Sequence, residues 1–123
     1  MSEEWRPLYP FSSHFLPLDG GRLHFVEEGQ GSPLLMVHGN PTWSFYWRDI
    51  VLAFRDRHRA VAVDHLGCGL SDKPQHYPYT LAQHTTNLCR LIRHLDLRDI
   101  TLVVHDWGGA IGLGAAVALP ERF

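Results

Sequence analysis

Residues 104–109 read V-H-D-W-G-G, with the carboxylate of Asp106 at the centre and two glycines, Gly108 and Gly109, shortly behind it. Apolar and β-branched residues over 100–104 precede the motif and predict a buried strand. The small-residue run A-I-G-L-G-A-A follows the glycines and predicts a helix over 107–119. A carboxylate in that position is costly to desolvate. The backbone N–H groups at the helix N-terminus offer compensation.

The rest of the chain alternates short apolar runs with amphipathic stretches. The predicted strands cover 16–18, 22–27, 34–37, 60–63 and 100–104, and the predicted helices cover about 44–54, 81–95 and 107–119. Residues 19–21 form a glycine-rich turn that joins the first two strands into a hairpin. The second helix starts at T-x-x-Q over 80–83, which matches a capping box. Residues 66–78 hold two glycines and two prolines and predict a loop.

Buried strands that alternate with amphipathic helices predict an α/β fold, with a mostly parallel sheet and helices on both faces. The hairpin is expected to add antiparallel strands at the N-terminal edge. Ligands in such sheets gather at the carboxyl ends of the strands. Three segments follow buried strands: H-G-N-P at 38–41, D-H-L-G-C-G-L-S-D-K-P at 64–74 and H-D-W-G-G at 105–109. We therefore expect them to meet at one end of the sheet.

Composition narrows the classes of function. The chain has 123 residues and a formal net charge of −2, which gives no electrostatic basis for binding nucleic acid or an anionic membrane. Cys68 and Cys89 form no paired motif, so free thiols in a reducing compartment are expected. Neither a signal peptide nor an apolar run of membrane-spanning length is recognised, which predicts a cytoplasmic location. No cofactor motif and no metal-ligand spacing is recognised either.

A strand, a sharp turn and a helix with glycines behind the central residue form the nucleophile elbow of α/β hydrolases, and Asp106 stands where that pattern has serine. A carboxylate is ionised at pH 7 and needs no base to attack an alkyl carbon. Water activated by a histidine would then cleave the resulting ester. The alternative, that Asp106 only caps the helix, leaves the double glycine unexplained. His105 is expected to point away from the site and to be structural.

H-G-N-P follows a buried strand at the place where the second oxyanion donor of these folds arises. The backbone N–H groups of Asn40 and Trp107 are therefore candidates for an oxyanion hole. The Asn40 amide and the Trp107 indole N–H are candidates for stabilising a departing halide. The aromatic residues behind H-G-N-P either wall an apolar pocket or pack the first helix; they are Trp43, Phe45, Tyr46 and Trp47.

Taken together, M-V-H-G-N-P-T-W-S-F-Y-W-R, D-H-L-G-C-G-L-S-D-K-P and V-V-H-D-W-G-G-A-I-G resemble haloalkane dehalogenases, over residues 8–123. Residues 9–11, 45–46, 67–69 and 79–81 are most similar to the branch that includes β-lactone decarboxylases of olefin biosynthesis. The resemblance implies an α/β-hydrolase fold and a small apolar substrate, a haloalkane or a β-lactone. It also implies that Asp106 is the nucleophile and that Asn40 and Trp107 bind the leaving halide.

The family has its catalytic acid after a later strand, its histidine base near its C-terminus, and a helical cap in between. We expect residues 1–123 to be the N-terminal portion of a single hydrolase core, inactive alone. Asp64 and His65 follow a buried strand and are candidates to line the site, although His65 is not expected to be the base. Histidines away from the motifs are expected at the surface or in loops; they are His14, His24, His58, His65, His76, His84 and His94.

Four alternatives remain open at this stage. A β-lactone decarboxylase would use the same three residues on a four-membered ring. An epoxide hydrolase shares H-D-W-G-G but usually differs after H-G, and a luciferase of this superfamily shares both motifs. From a different class, the chain is an inactive fragment or a non-catalytic binding module.

Overall fold

The computed structural model describes residues 3–123, which form one five-stranded sheet flanked by helices. The strands are β1 (Ser13–Leu18), β2 (Gly21–Glu28), β3 (Ser32–Val37), β4 (His58–Val63) and β5 (Thr101–Val104). The α-helices are α1 (Arg48–Phe54), α2 (Leu81–His94) and α3 (Trp107–Ala118), and short 3-10 helices cover Arg6–Leu8, Ser44–Trp47 and Pro120–Arg122. In this part of the chain no helix combines the length and apolar character that a bilayer crossing requires.

The strands lie in the order β1-β2-β4-β3-β5, and the sheet is mixed. β3 is the middle of three parallel strands and pairs with β4 and β5, whereas β2 runs antiparallel to β1 and β4. The α/β fold with an antiparallel hairpin at one edge is therefore confirmed. Val37 is in register with Val63 on one side and with Val104 on the other. The three parallel strands consequently end together, which brings their following loops side by side as predicted.

Helices cover both faces of the sheet because successive side chains of a strand point in opposite directions. Leu35 and Val37 of β3 are buried in a core with the apolar faces of α2 and α3. Leu34 and Met36 point to the other face and pack in a core that includes Val51 of α1. Burying both faces explains why 34–37 reads as a continuous apolar run rather than an alternating one.

Three elements differ from their predicted form. β1 starts at Ser13, three residues earlier than predicted, because residues 13–15 also pair with β2. The helix predicted over 44–54 begins as a 3-10 turn and becomes α-helical only at Arg48. β5 was expected to be buried but is partly exposed, because β3 is its one partner within residues 3–123.

The capping box at the start of α2 is only half formed. The Thr80 hydroxyl accepts a hydrogen bond from the backbone N–H of Gln83 at 3.1 Å, as predicted. The side chain of Gln83 does not return to Thr80; its amide donates to the Asn87 side chain at 3.0 Å. Asn87 in turn donates to the Tyr77 hydroxyl, which ties α2 to the preceding loop.

The two glycines of the motif are not equivalent. A Cβ at Gly108 would lie 2.1 Å from the carbonyl oxygen of Val37, so α3 can approach β3 this closely only with glycine there. A Cβ at Gly109 would meet only a Val104 methyl, at an ordinary 3.8 Å. The close approach of α3 to β3 therefore requires glycine at position 108 but not at position 109.

Gly108→Ala is expected to lower the free energy of unfolding by about 2–3 kcal/mol, because a backbone oxygen cannot move aside as a side chain can. The matched change Gly109→Ala is expected to be neutral or to stabilise by up to about 1 kcal/mol through helix propensity. Urea unfolding of the two variants measures the difference. Equal effects would contradict the close approach of α3 to β3 at Gly108.

Candidate active site

Asp106 lies in the sharp turn between β5 and α3. Its backbone has φ 56° and ψ −131°, a conformation that residues other than glycine rarely adopt and that costs about 1–3 kcal/mol. The side chain makes no hydrogen bond in the pattern of a helix N-cap, which would reach the N–H of the second or third residue of α3, so the helix-cap alternative finds no support. The turn instead presents the carboxylate at the surface, beyond the carboxyl ends of the parallel strands.

Two backbone N–H groups face the Asp106 carboxylate. The N–H of Trp107, in the first turn of α3, and the N–H of Asn40, 3.1 Å from Oδ2, both donate to it. These hydrogen bonds, first that of Trp107 and then that of Asn40, hold the pKa of Asp106 below its usual range. The carboxylate is therefore ionised at neutral pH, and the two donors are directed at its oxygens.

The loop after β3 reaches Asp106 because residue 39 has no side chain. A Cβ at Gly39 would lie 2.5 Å from the Asp106 Cβ and 2.9 Å from its Oδ2. The peptide bond between Asn40 and Pro41 in the same loop is cis. Gly39 is buried beneath the carboxylate while Asn40 is exposed beside it, so the two loops are in direct contact at this point.

A cavity of ≈ 580 Å³ opens beside this contact. Both predicted halide-binding residues, Asn40 and Trp107, line it, and 52% of the Trp107 surface is exposed. Gly39, next to Asn40 in the loop after β3, also lines it. The remaining lining comes from the loop after β4, the start of α2 and one residue of α3: His65, Leu66, Gly67, Cys68, Lys73, Tyr79, Leu81, His84 and Ile111. The structure thus brings Asn40 and Trp107 together at Asp106, on the rim of a partly apolar cavity.

Within residues 3–123, no group of three or more His, Cys, Asp or Glu side chains is placed to hold a metal ion.

The aromatic residues behind H-G-N-P pack the fold and do not line this cavity. Trp47 is buried on the α1 face of the sheet, and Trp43 and Phe45 pack against the same core. Tyr46 stacks on the ring of His105 with 5.0 Å between ring centroids. The choice that the sequence left open is therefore decided in favour of packing, and His105 is held against Tyr46.

The expectation that the remaining histidines lie at the surface or in loops is wrong for His24, whereas His65 does lie in a loop and lines the cavity, as the sequence allowed. His24 is fully buried within β2, where it hydrogen-bonds Asp64 and the Ser13 hydroxyl. His65 is buried in the loop after β4, and His84 is half-buried on α2; both line the cavity. The apolar surroundings of His24 in L-H-F-V were a signal for its burial, whereas α2 brings His84 to the cavity only through the tertiary fold.

Asp64 was a candidate to line the site and does not, since it is fully buried. Its carboxylate accepts the backbone N–H of Ser44 at 2.6 Å and that of Leu70 at 2.9 Å, and it pairs with His24 Nδ1 at 2.9 Å. Burial by itself raises the pKa of Asp64, but the bonds from His24, Leu70 and Ser44 outweigh it and hold the pKa below its usual range. Asp64 therefore ties the loops after β3 and β4 together.

In a comparison with known families, the model of the α/β-hydrolase fold matches residues 32–123. The sharp strand–turn–helix at Asp106 is the feature that carries the nucleophile in this fold. The chain belongs to the α/β-hydrolase fold family. The predicted resemblance to haloalkane dehalogenases and to the β-lactone decarboxylase branch is also confirmed, by similar proteins and by solved structures.

Similar family members include proteins of two kinds. The chain is 53% identical over 118 residues to a protein of Shewanella oneidensis named cis-3-alkyl-4-alkyloxetan-2-one decarboxylase, covering 94% of this chain and 37% of that protein. It is 44% identical over 125 residues to haloalkane dehalogenase 2 of Mycobacterium tuberculosis, covering 99% of this chain and 44% of that protein. The chain thus spans well under half the length of these relatives.

Solved structures of the family agree. Haloalkane dehalogenase DpaA of Paraglaciecola agarilytica superposes with a TM-score of 0.86 at 38% identity, over 95% of this chain and 42% of that one. DatA of Agrobacterium tumefaciens gives a TM-score of 0.83 at 40% identity, over 90% of this chain and 38% of that one. Epoxide hydrolase VrEH1 of Vigna radiata gives 0.85 at 30% identity, over 94% and 38%.

Proposed function

We propose that the protein containing this chain is an enzyme in which Asp106 displaces halide from an alkyl carbon and forms an alkyl-enzyme ester. The observation that carries the proposal is the contact between the ionised Asp106 carboxylate and the Asn40 loop, on the rim of the cavity. A nucleophile that is already ionised needs no base for this step. Similarity to haloalkane dehalogenases supports the same chemistry.

In the proposed step a carboxylate oxygen of Asp106 bonds to the carbon as the carbon–halogen bond breaks, and the halide leaves with the bonding electrons. The side-chain amide of Asn40 and the indole N–H of Trp107 stabilise the developing negative charge. The backbone N–H groups of the same two residues then polarise the ester carbonyl, which water attacks to release the alcohol. We assign no base for that water within residues 3–123, since His105 stacks on Tyr46 and His65 is tied to His38.

A second candidate, decarboxylation of a β-lactone, is favoured by the higher identity to the relative so named, 53% against 44%. Asp106 would attack the saturated ring carbon that is bonded to the ring oxygen, and cleavage of that C–O bond would leave a substrate carboxylate where the halide would otherwise leave. Loss of CO₂ with cleavage of the new ester bond then gives an alkene and returns Asp106 as a carboxylate. This route consumes no water.

The two reactions are separated by an experiment in H₂¹⁸O. The protein, in the longest reading frame that contains this chain, is given a 1-bromoalkane or a cis-3,4-dialkyl β-lactone, quenched in acid and digested. We expect a mass shift on the peptide that holds Asp106 during turnover. Hydrolysis of the alkyl ester leaves ¹⁸O in Asp106 afterwards, whereas decarboxylation yields an alkene and no label. An ester on another residue, or none with either substrate, would contradict the proposal.

Asn40→Ala and Trp107→Phe are each expected to slow ester formation by about 10²-fold, which corresponds to about 3 kcal/mol for one lost donor. Quenched single-turnover reactions with a 1-bromoalkane measure this step. Trp5→Phe is the matched control, because the buried indole nitrogen of Trp5 has no hydrogen-bond partner and its loss removes no donor from the site. Rates within twofold of the parent protein for Asn40→Ala and Trp107→Phe would show that these side chains do not stabilise the leaving group.

A further inference from the structure

We propose that His65 is a positioning residue that holds the backbone N–H of Asn40 at Asp106, and that it acts through His38. The inference deepens the proposed function and rests on it for its kinetic test. Its structural test does not depend on any substrate, so a failure of the inference and a failure of the proposed function are distinguishable.

His65 and His38 are joined by a reciprocal pair of hydrogen bonds. The backbone N–H of His65 donates to His38 Nε2 at 3.1 Å, and His65 Nε2 lies 3.0 Å from the His38 carbonyl oxygen. The two residues meet because β3 and β4 are parallel neighbours that end in register, with Val37 opposite Val63. The rings lie against one another with 4.1 Å between centroids, and both side chains are buried.

The backbone partners determine which ring nitrogen carries each proton. A peptide N–H can only donate, so His38 Nε2 is the unprotonated nitrogen, and its Nδ1–H donates to the Gly39 carbonyl oxygen at 2.6 Å. A peptide carbonyl can only accept, so His65 Nε2 carries the proton. The His38 ring is therefore neutral, and the lowered pKa of His65 leaves its ring neutral as well. Burial, followed by the charge that His38 would carry, lowers the pKa of His65 to about 3, and burial also lowers the pKa of His38.

These bonds act on the segment that carries the oxyanion donor. They hold both the carbonyl of His38 and the carbonyl of Gly39, and Asn40 is the next residue along. The Asn40 N–H is 3.1 Å from Asp106 Oδ2, and Gly39 lies directly under that carboxylate. A tilt of either peptide would turn the Asn40 N–H away from Asp106, and misplacement by about 1 Å is enough to cost on the order of 10²-fold in rate.

The structural test follows the Asn40 amide by ¹H–¹⁵N NMR in the longest reading frame. We expect the Asn40 proton to move upfield in His65→Leu and in His65→Asn, whose shorter amide does not reach the His38 carbonyl, because the bond to Asp106 lengthens. His65→Gln keeps a donor at the Nε2 position and is expected to restore the parental shift. Leu97→Ala, a change at a fully buried core position, is the control for general loss of stability. An Asn40 shift unchanged in both His65→Leu and His65→Asn overturns the proposal.

The kinetic test uses quenched single turnovers with a short and a long 1-bromoalkane. His65→Leu and His65→Asn are expected to slow ester formation by about 10- to 100-fold with both substrates, while substrate affinity changes less than about threefold and His65→Gln recovers most of the rate. A loss that appears only with the long substrate, or only in affinity, means that His65 contacts the alkyl chain and overturns the positioning role. Absence of any ester in the parent protein counts against the proposed function alone, and the NMR result then decides the role of His65.

Discussion

Asp106→Asn is expected to abolish ester formation, with a fall on the order of 10⁴-fold or more, as when a covalent nucleophile is removed elsewhere. Asparagine keeps the size of the side chain and tolerates a positive φ better than most residues, so the turn at φ 56° is retained. The neutral amide has no ionised oxygen with which to attack carbon. Quenched single turnovers with a 1-bromoalkane, read by mass spectrometry of the peptide that holds residue 106, measure the loss.

Asp99→Asn is the matched control. Asp99 is exposed and also has a positive φ, of 55°, so the same substitution there tests the backbone effect without touching the site. It is expected to leave the rate within twofold of the parent protein. An ester that still forms at residue 106 in Asp106→Asn, or forms at an unchanged rate on another residue, would contradict the role of Asp106.

The pH dependence of ester formation follows from the same contacts. The N–H groups of Trp107 and Asn40 hold the pKa of Asp106 below its usual value of about 4. The carboxylate therefore stays ionised as pH falls through the usual range of an aspartate. We expect the single-turnover rate to be flat from about pH 9 down to pH 5. A rate that falls with a midpoint near pH 6 would point to a histidine as the group whose ionisation limits the first step.

Asp64→Ala is expected to lower the free energy of unfolding by about 3–5 kcal/mol, a large share of the 5–15 kcal/mol of an ordinary domain. The change leaves the backbone N–H groups of Ser44 and Leu70 and the Nδ1 of His24 without their common acceptor. Each buried polar group that loses its partner costs about 1–3 kcal/mol. Urea unfolding of the purified variants measures the difference.

The control is Asp56→Ala, which removes an exposed carboxylate paired with Arg57. Exposed ion pairs contribute little, so the expected change is below about 1 kcal/mol. A loss for Asp64→Ala no larger than that of Asp56→Ala would mean that the carboxylate does not hold the two loops. The same result would also remove the reason for the lowered pKa of Asp64.

The sign of the acid effect follows from that lowered pKa. The contribution of Asp64 to stability is fully present above the unfolded-state pKa of about 4 and is lost as pH falls from there through the lower pKa of the folded state. The free energy of unfolding of the parent protein is expected to fall as pH falls through this window. In Asp64→Ala this part of the pH dependence of the free energy of unfolding is expected to be absent, because no carboxylate remains at position 64 to be protonated.

Several features follow from local sequence because they depend on neighbours along the chain. The apolar runs over 34–37 and 60–63 are strands, since such short runs are apolar enough to be buried on both faces of a sheet. The motif over 104–109 predicted the strand, turn and helix around Asp106. An apolar run, two intervening residues and a glycine at the start of a helical run leave room only for a sharp turn at Asp106. H-G-N-P and H-D-W-G-G were expected to meet, since parallel strands that alternate with helices end at one edge.

What the sequence by itself determined is therefore the order of strands and helices, the family, and the candidacy of Asp106, Asn40 and Trp107. Only the tertiary structure decided that glycine is required at 108 and not at 109, that His24 meets Asp64, and that His65 hydrogen-bonds His38. Several of these outcomes depend on contacts between distant positions, since His38 meets His65 across 27 positions and Val37 approaches Gly108 across 71. Local propensity carries no information on such distances, because burial and hydrogen-bond partners are properties of the packed sheet and its helices.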